Sequence, residues 1–263
     1  MATEINNNDR QFRRQKFHLS SISNNYLRIT NPFMPMWWAM AMPGTGHIML
    51  GKMIKGFLLF GFEFFINSQA HINISIVYSL FGQFEMAKEA IDVRWFFIYI
   101  GVYIFNVWDA YRLTTELNQL SALAVRERSP IRAFNLSFIE INYLNKINPW
   151  IGVFWTLVTP GIGHIMIRNI VPGFYLLVWH IVVVYKSRLN DGVLFSLTGQ
   201  FQKAIDVMDY EWTLFIPSVY LFAVCDYYYR AVELNQLFKM EQARFLEENY
   251  NTHKPGSFLK GWD

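Results

Sequence analysis

Two histidines, His47 and His164, sit in near-identical surroundings: "PGTGHIML" begins at Pro43 and "PGIGHIMI" at Pro160. Two aspartates recur with a nearby base in the same way, Asp109 with Arg112 and Asp226 with Arg230. An acid three or four residues before a base shares its helix face, in the favourable order. At the end of a membrane helix such an ion pair is tolerable where a lone carboxylate is expensive, so an interfacial anchor is the first reading and ion passage the second. The two histidines can form a paired site for a proton, a lipid phosphate or a metal. Metal binding needs further ligands at suitable spacing, and these are missing from the neighbourhood, so no metal and no cofactor is expected. Glu63 and His180 are the polar residues inside apolar stretches that a transport pathway would use. They occupy matching positions with unlike chemistry, which supports at most one hydrogen-bonded contact between them.

Those residues need elements to hold them. Proline breaks a helical ladder and glycine permits positive φ, so Pro43, Gly44 and Gly46, like Pro160, Gly161 and Gly163, read as structural turns that fold a short segment back. In lipid such irregular backbone survives only where protein covers it or where it lines a wet cavity or the interface. No nucleophile elbow, phosphate loop, paired-cysteine site or metalloprotease helix occurs, so no catalytic residue is assigned and the reading leans away from an enzyme.

Composition fixes the solvent. The 263 residues are 53% hydrophobic, 18% aromatic and 16% charged, with mean hydropathy +0.16. The apolar residues come in blocks, as membrane proteins require. A net charge of +3 is too small to argue for nucleic acid, and the lipid bilayer is the natural partner. A single cysteine, Cys225, excludes an internal disulfide.

The chain repeats itself. Asn31-Pro32 matches Asn148-Pro149, Trp38 matches Trp155, Gly56-Phe57 matches Gly173-Phe174, and "GQF" recurs at Gly82 and Gly199. "AIDV" recurs at Ala90 and Ala204, and both halves close on Asp, Tyr and "ELNQL". The spacing is 117 at both ends, with a compensating three-residue deletion and insertion expected between. The fold expected is all-α: a polytopic membrane helical bundle of two tandem homologous halves. The expected divisions are a cytoplasmic tail (1–30), a membrane repeat (31–120), a cytoplasmic linker (121–147), a second repeat (148–237) and a cytoplasmic tail (238–263).

Topology follows from lysine and arginine. The N-terminal tail holds Arg10, Arg13, Arg14, Lys16 and Arg28, the linker Arg112, Arg126, Arg128, Arg132 and Lys146, and the C-terminal tail Arg230, Lys239, Arg244, Lys254 and Lys260. Intervening loops carry fewer, so both termini and the linker are predicted cytoplasmic. Each half then crosses an even number of times, with two spanning helices and a first segment too short to cross the roughly 30 Å hydrocarbon layer. Three crossings per half, an inverted repeat like those of several transporters, would break the charge rule.

The motif "PGTGHIMLG", with "KG" at Lys55-Gly56 and "WDAYR" at Trp108–Arg112, resembles small bacterial integral membrane proteins of two transmembrane helices. These carry a Pro-Gly-x-Gly-(Gln/His) turn and a closing Asp-Ala-Tyr-Arg. The resemblance implies a bacterial inner membrane and the topology above, and no reaction. The second half departs from it at Arg168, Pro172 and Cys225–Arg230. The function expected is a non-enzymatic scaffold or interaction protein working with a protein partner or by self-association; the alternative is a small transporter or channel running between the halves.

Overall fold

The computed structural model describes residues 13–250 apart from 21, 132, 137 and 139; the expected cytoplasmic charges at Arg10, Arg132, Lys254 and Lys260 lie outside the described residues. The protein is mostly helical. Its N-terminal half runs through a hairpin of β1 (Phe17–Leu19) and β2 (Asn24–Tyr26), then α1 (Phe33–Ala41), α2 (Thr45–Met49), α3 (Met53–Ala70), α4 (Ile72–Leu80), α5 (Phe84–Ala90) and α6 (Val93–Arg126). The C-terminal half follows the same order: β3 (Phe134–Leu136), β4 (Ile141–Tyr143), α7 (Pro149–Val158), α8 (Ile162–Met166), α9 (Ile170–Ser187), α10 (Leu189–Leu197), α11 (Phe201–Val207), α12 (Tyr210–Thr213) and α13 (Phe215–Tyr250).

Helix starts keep a constant spacing, since α3, α4 and α5 begin 117 positions before α9, α10 and α11. This corrects the expected deletion and insertion, because the "AIDV" strings are not counterparts. Asp92 caps α6 by accepting from the backbone N–H groups of Arg94 (2.9 Å) and Trp95 (3.3 Å). Asp209 caps α12 in the same way from Glu211 (3.0 Å) and Trp212 (3.4 Å). A cap sits one residue outside its helix, so capping aligns Asp92 with Asp209 and leaves Asp206 on α11.

Two further differences concern the polar stretches. The tail and the linker each fold a two-stranded hairpin, a small addition to an all-α design. Helix α6 continues beyond residue 120 to Arg126, and α13 beyond 237 to Tyr250, since both ends are rich in strong helix formers.

Each half makes one excursion and returns. The chain breaks at His71 and at Arg188, both left-handed (φ 54° and 56°), runs through two short helices, and closes where Asp92 N–H donates to the Ala70 carbonyl (3.2 Å) and Asp209 N–H to that of Ser187 (3.1 Å). The halves meet through aromatic packing. Phe64 of α3 stacks on Trp179 of α9 with ring centroids 3.9 Å apart, Phe57 stacks on Tyr175 at 4.0 Å, and Trp38 meets Phe222 edge-on at 5.5 Å. A second core gathers Phe17, Leu19, Leu144, Ile167, Leu234 and Leu237, so the β1–β2 hairpin packs on the C-terminal half.

Outward faces are apolar around the helices, with Ile54, Leu58, Phe97, Ile104, Phe154, Val178 and Ile181 all exposed. Among the described residues α9 alone is long and apolar enough to cross a membrane by itself. Helices α5 and α6 pass the same test together, bent by 87° at their junction.

Candidate functional site

The turn around each histidine is locked from three sides. Gly44 adopts φ +88°, and a Cβ there would stand 2.3 Å from the Gly56 carbonyl of α3. Gly161 repeats this at φ +101° against the Gly173 carbonyl, 2.2 Å away. Glycine is therefore required twice over, by backbone conformation and by contact. The "KG" signal is the other face of that contact. Gly46 touches α1 in turn, where an added Cβ would meet the Pro35 carbonyl at 2.1 Å. With α1 and α3 both against the backbone, the imidazole is left facing α6.

In the N-terminal half the His47 Nε2 lies 3.0 Å from Asp109 Oδ2, and both side chains are buried. An ionised carboxylate only accepts, so Nε2 is the donor, while Nδ1 has no hydrogen-bond partner. Two cations close the cluster: Lys55 Nζ donates to Oδ2 at 2.5 Å, and Arg112 Nη2 and Nε donate to Oδ1 at 2.7 and 3.2 Å. Arg112 also pairs with Glu116. Both cations are about 40% exposed, so this cluster opens to solvent on one side.

The C-terminal half brings the same pair together and seals it. His164 Nε2 lies 3.0 Å from Asp226 Oδ2, with both side chains fully buried. Pro172 stands where Lys55 would be, and the single cation, Arg230, is buried as well. Its Nε donates to Asp226 Oδ2 at 2.6 Å, while Nη2 crosses to the Ile48 carbonyl of the other half at 2.7 Å. Moving the arginine one place along the helix, from the i, i+3 to the i, i+4 position, turns it from the solvent side to the boundary between the halves. The structure thus unites each histidine with an aspartate, so Asp109 and Asp226 are interior partners as well as helix-face ion pairs.

Glu63 and His180 are not brought together. Glu63 accepts from Asn67 Nδ2 (2.8 Å) and faces Tyr99, while His180 meets the Tyr220 ring edge-on at 5.4 Å. From Glu63 a polar file runs outward: Asn67 donates to Asn73 (3.2 Å), Asn73 donates to the Glu211 carbonyl (2.9 Å), and Glu211 Oε2 accepts from the backbone N–H of Ile74 (3.1 Å).

Several positioning residues escaped the sequence reading. Asn118 and Asn235, the asparagines of the two "ELNQL" strings, each hold the segment that leads from the hairpin into α1 or α7. Asn118 exchanges bonds with Thr30 (2.9 and 2.8 Å), Asn235 with Ile147 (2.8 Å both ways). The recurrence of that string was the available signal. Asn106 was invisible, having Ala223 as its counterpart; it accepts from Gly44 N–H (3.0 Å) and donates to the Ala39 carbonyl (2.7 Å). On the hairpin side, burial pushes the Lys16 ammonium down and the Glu233 carboxyl up from their ordinary values, with Lys16 and Arg28 drawing Glu233 partly back.

In both halves the imidazole lies against a carboxylate and its side chain is buried. No group of three or more metal-ligating residues occurs among the described residues. Comparison with protein-family models, curated proteins and solved structures finds no match to the chain.

Proposed function

We propose that the protein is a non-enzymatic, multi-pass membrane protein of two tandem homologous halves, working as a scaffold that holds a protein partner or a second copy of itself. The constant spacing of 117 and the paired His–Asp contacts support the duplication. Helix length supports two spans per half: α3 and α9 reach about 27 Å at 1.5 Å per residue, while α1, at about 14 Å, reaches only half-way. Hairpins, linker and both termini then share the cytoplasmic side of a bacterial inner membrane.

One observation carries the interaction reading. In the β1–β2 hairpin Phe17 and Leu19 are buried against the C-terminal half, whereas their counterparts in β3–β4, Phe134 and Leu136, are 62% and 69% exposed, as is Ile141 at 56%. An apolar face that the first hairpin uses for docking is left uncovered by the described residues on the second. Photo-crosslinking from positions 134, 136 and 141 in native membranes tests this. A discrete adduct with one protein or with a second copy is expected, and recovery of the uncrosslinked chain from all three positions would overturn it.

The polar file from Glu63 to Glu211 favours a second reading, a small transporter. Glu63→Gln should abolish proton or solute flux in reconstituted vesicles under that reading. Unchanged flux, or none in the native chain, removes it.

A further inference from the structure

Two cavities occupy matching positions in the two halves and differ in what fills them. The one on the C-terminal half, about 90 Å³, lies among Tyr143, Leu144, Asn145, Ile167 and Arg168. Arg168, left-handed at φ 61°, lays its guanidinium 4.1 Å from the Tyr143 ring centre and donates to the Tyr143 carbonyl. Asn24 of the first hairpin adds a 2.7 Å bond to the Ile167 carbonyl. The chain plugs this cavity with its own cation.

The cavity on the N-terminal half, about 270 Å³, is formed by the residues 117 positions earlier: Tyr26, Leu27, Arg28, Leu50 and Gly51. Gly51 has the same left-handed backbone as Arg168, φ +75°, but brings no side chain. Arg28, Lys52, Arg230 and His18 line the space, together with neutral residues and no carboxylate. Arg28 leans 5.6 Å from the Tyr26 ring centre, and its Nη2 is buried with no hydrogen-bond partner. Lys52 forms no ion pair among the described residues. Among the described residues, Asp226 accepts from Arg230, and Glu233 lies near Arg28 and Lys16.

We propose that this cavity binds a phosphate-type oxyanion. Two arginines, one with an Nη2 that has no hydrogen-bond partner, and a lysine without an ion pair among the described residues line one concave site, and arginine forks match tetrahedral oxyanions. The source is either a lipid headgroup, with the acyl chains lying in the adjoining bilayer, or a soluble phosphate. This inference is independent of the scaffold proposal, since no protein partner and none of the exposed residues Phe134, Leu136 and Ile141 enter it.

The test uses the full chain purified in detergent. Inorganic phosphate is added in a thermal-unfolding series, and dioleoyl phosphatidylglycerol is added for native mass spectrometry. Stabilisation by phosphate identifies a soluble ligand; retention of one phosphatidylglycerol without that stabilisation identifies the headgroup. Gly51→Arg installs the plug of the other half on a compatible backbone and should weaken either effect at least tenfold, as should Arg28→Gln. Lys52→Gln, at an exposed position that folding tolerates, should weaken it several-fold and covers the case in which the other two variants fail to fold. Arg168→Gly should leave it intact. The assignment is overturned if neither probe binds, or if Lys52→Gln and Gly51→Arg bind as well as the native chain. A dimer broken by Gly51→Arg with no phosphate or lipid effect would also overturn it, by giving the cavity to a second copy.

Discussion

The two His–Asp clusters share a 3.0 Å contact and a glycine-locked turn, yet one faces solvent through Lys55 and Arg112 while the other is sealed around Arg230. The shared part, turn plus histidine plus aspartate, ties three elements of one half together. The divergent part, the cation, decides whether the cluster also ties one half to the other. Identical hydrogen bonds therefore have different energetic weight, because water can replace the exposed partners of Asp109 and cannot reach those of Asp226.

The largest effect separating the clusters is expected from their carboxylates. Asp226→Ala leaves Arg230 charged, buried and short of its partner, a loss of roughly 3–5 kcal/mol. Asp109→Ala frees Lys55 and Arg112 to turn into water and should cost about 1–2 kcal/mol, mostly through the orphaned His47. Unfolding of the purified protein in detergent measures both, and equal losses would end the distinction. Next come the turns, where the halves should agree: Gly44→Ala and Gly161→Ala each force a side chain into a left-handed site and onto a carbonyl, costing about 1–3 kcal/mol for the conformation alone. Unequal losses there would show that the two turns are not equivalent. His164→Gln should cost about 1 kcal/mol, and His47→Gln no more, since glutamine can still donate to the carboxylate. The smallest effect is that of salt. Raising ionic strength to 1 M, where the Debye length falls to about 3 Å, should shrink the Asp109→Ala deficit and leave that of Asp226→Ala unchanged.

Much of this was legible in the residues. Recurrent strings marked the turns, the aspartates and the helix order, because each string answers a backbone requirement that recurs: Gly44 against Gly56, Asn118 on Thr30. The "AIDV" match misled because the first string crosses the α5–α6 junction and contains the cap Asp92, while the second lies wholly within α11 and its cap, Asp209, comes two residues later. The destination of Asp109 was also hidden. Its helix spacing points to Arg112, and only packing reveals that His47 arrives from 62 positions away. Arg230 crossing to Ile48 depends on a one-residue shift whose sense no pattern discloses. Glu63 and His180 match in position yet find separate neighbours, because equivalent places in the two halves need not face each other.

The first hairpin also imposes an order on synthesis. Strands β1 and β2 are made before any helix, yet Asn24 bonds Ile167, a residue 143 positions later. Phe17 and Leu19 share a core with Leu234 and Leu237, so their cover is complete only when the last third of the chain has emerged. Closure of that hairpin is thus a late checkpoint in biogenesis, and a nascent chain halted after α6 would present its uncovered apolar edge to chaperones and proteases.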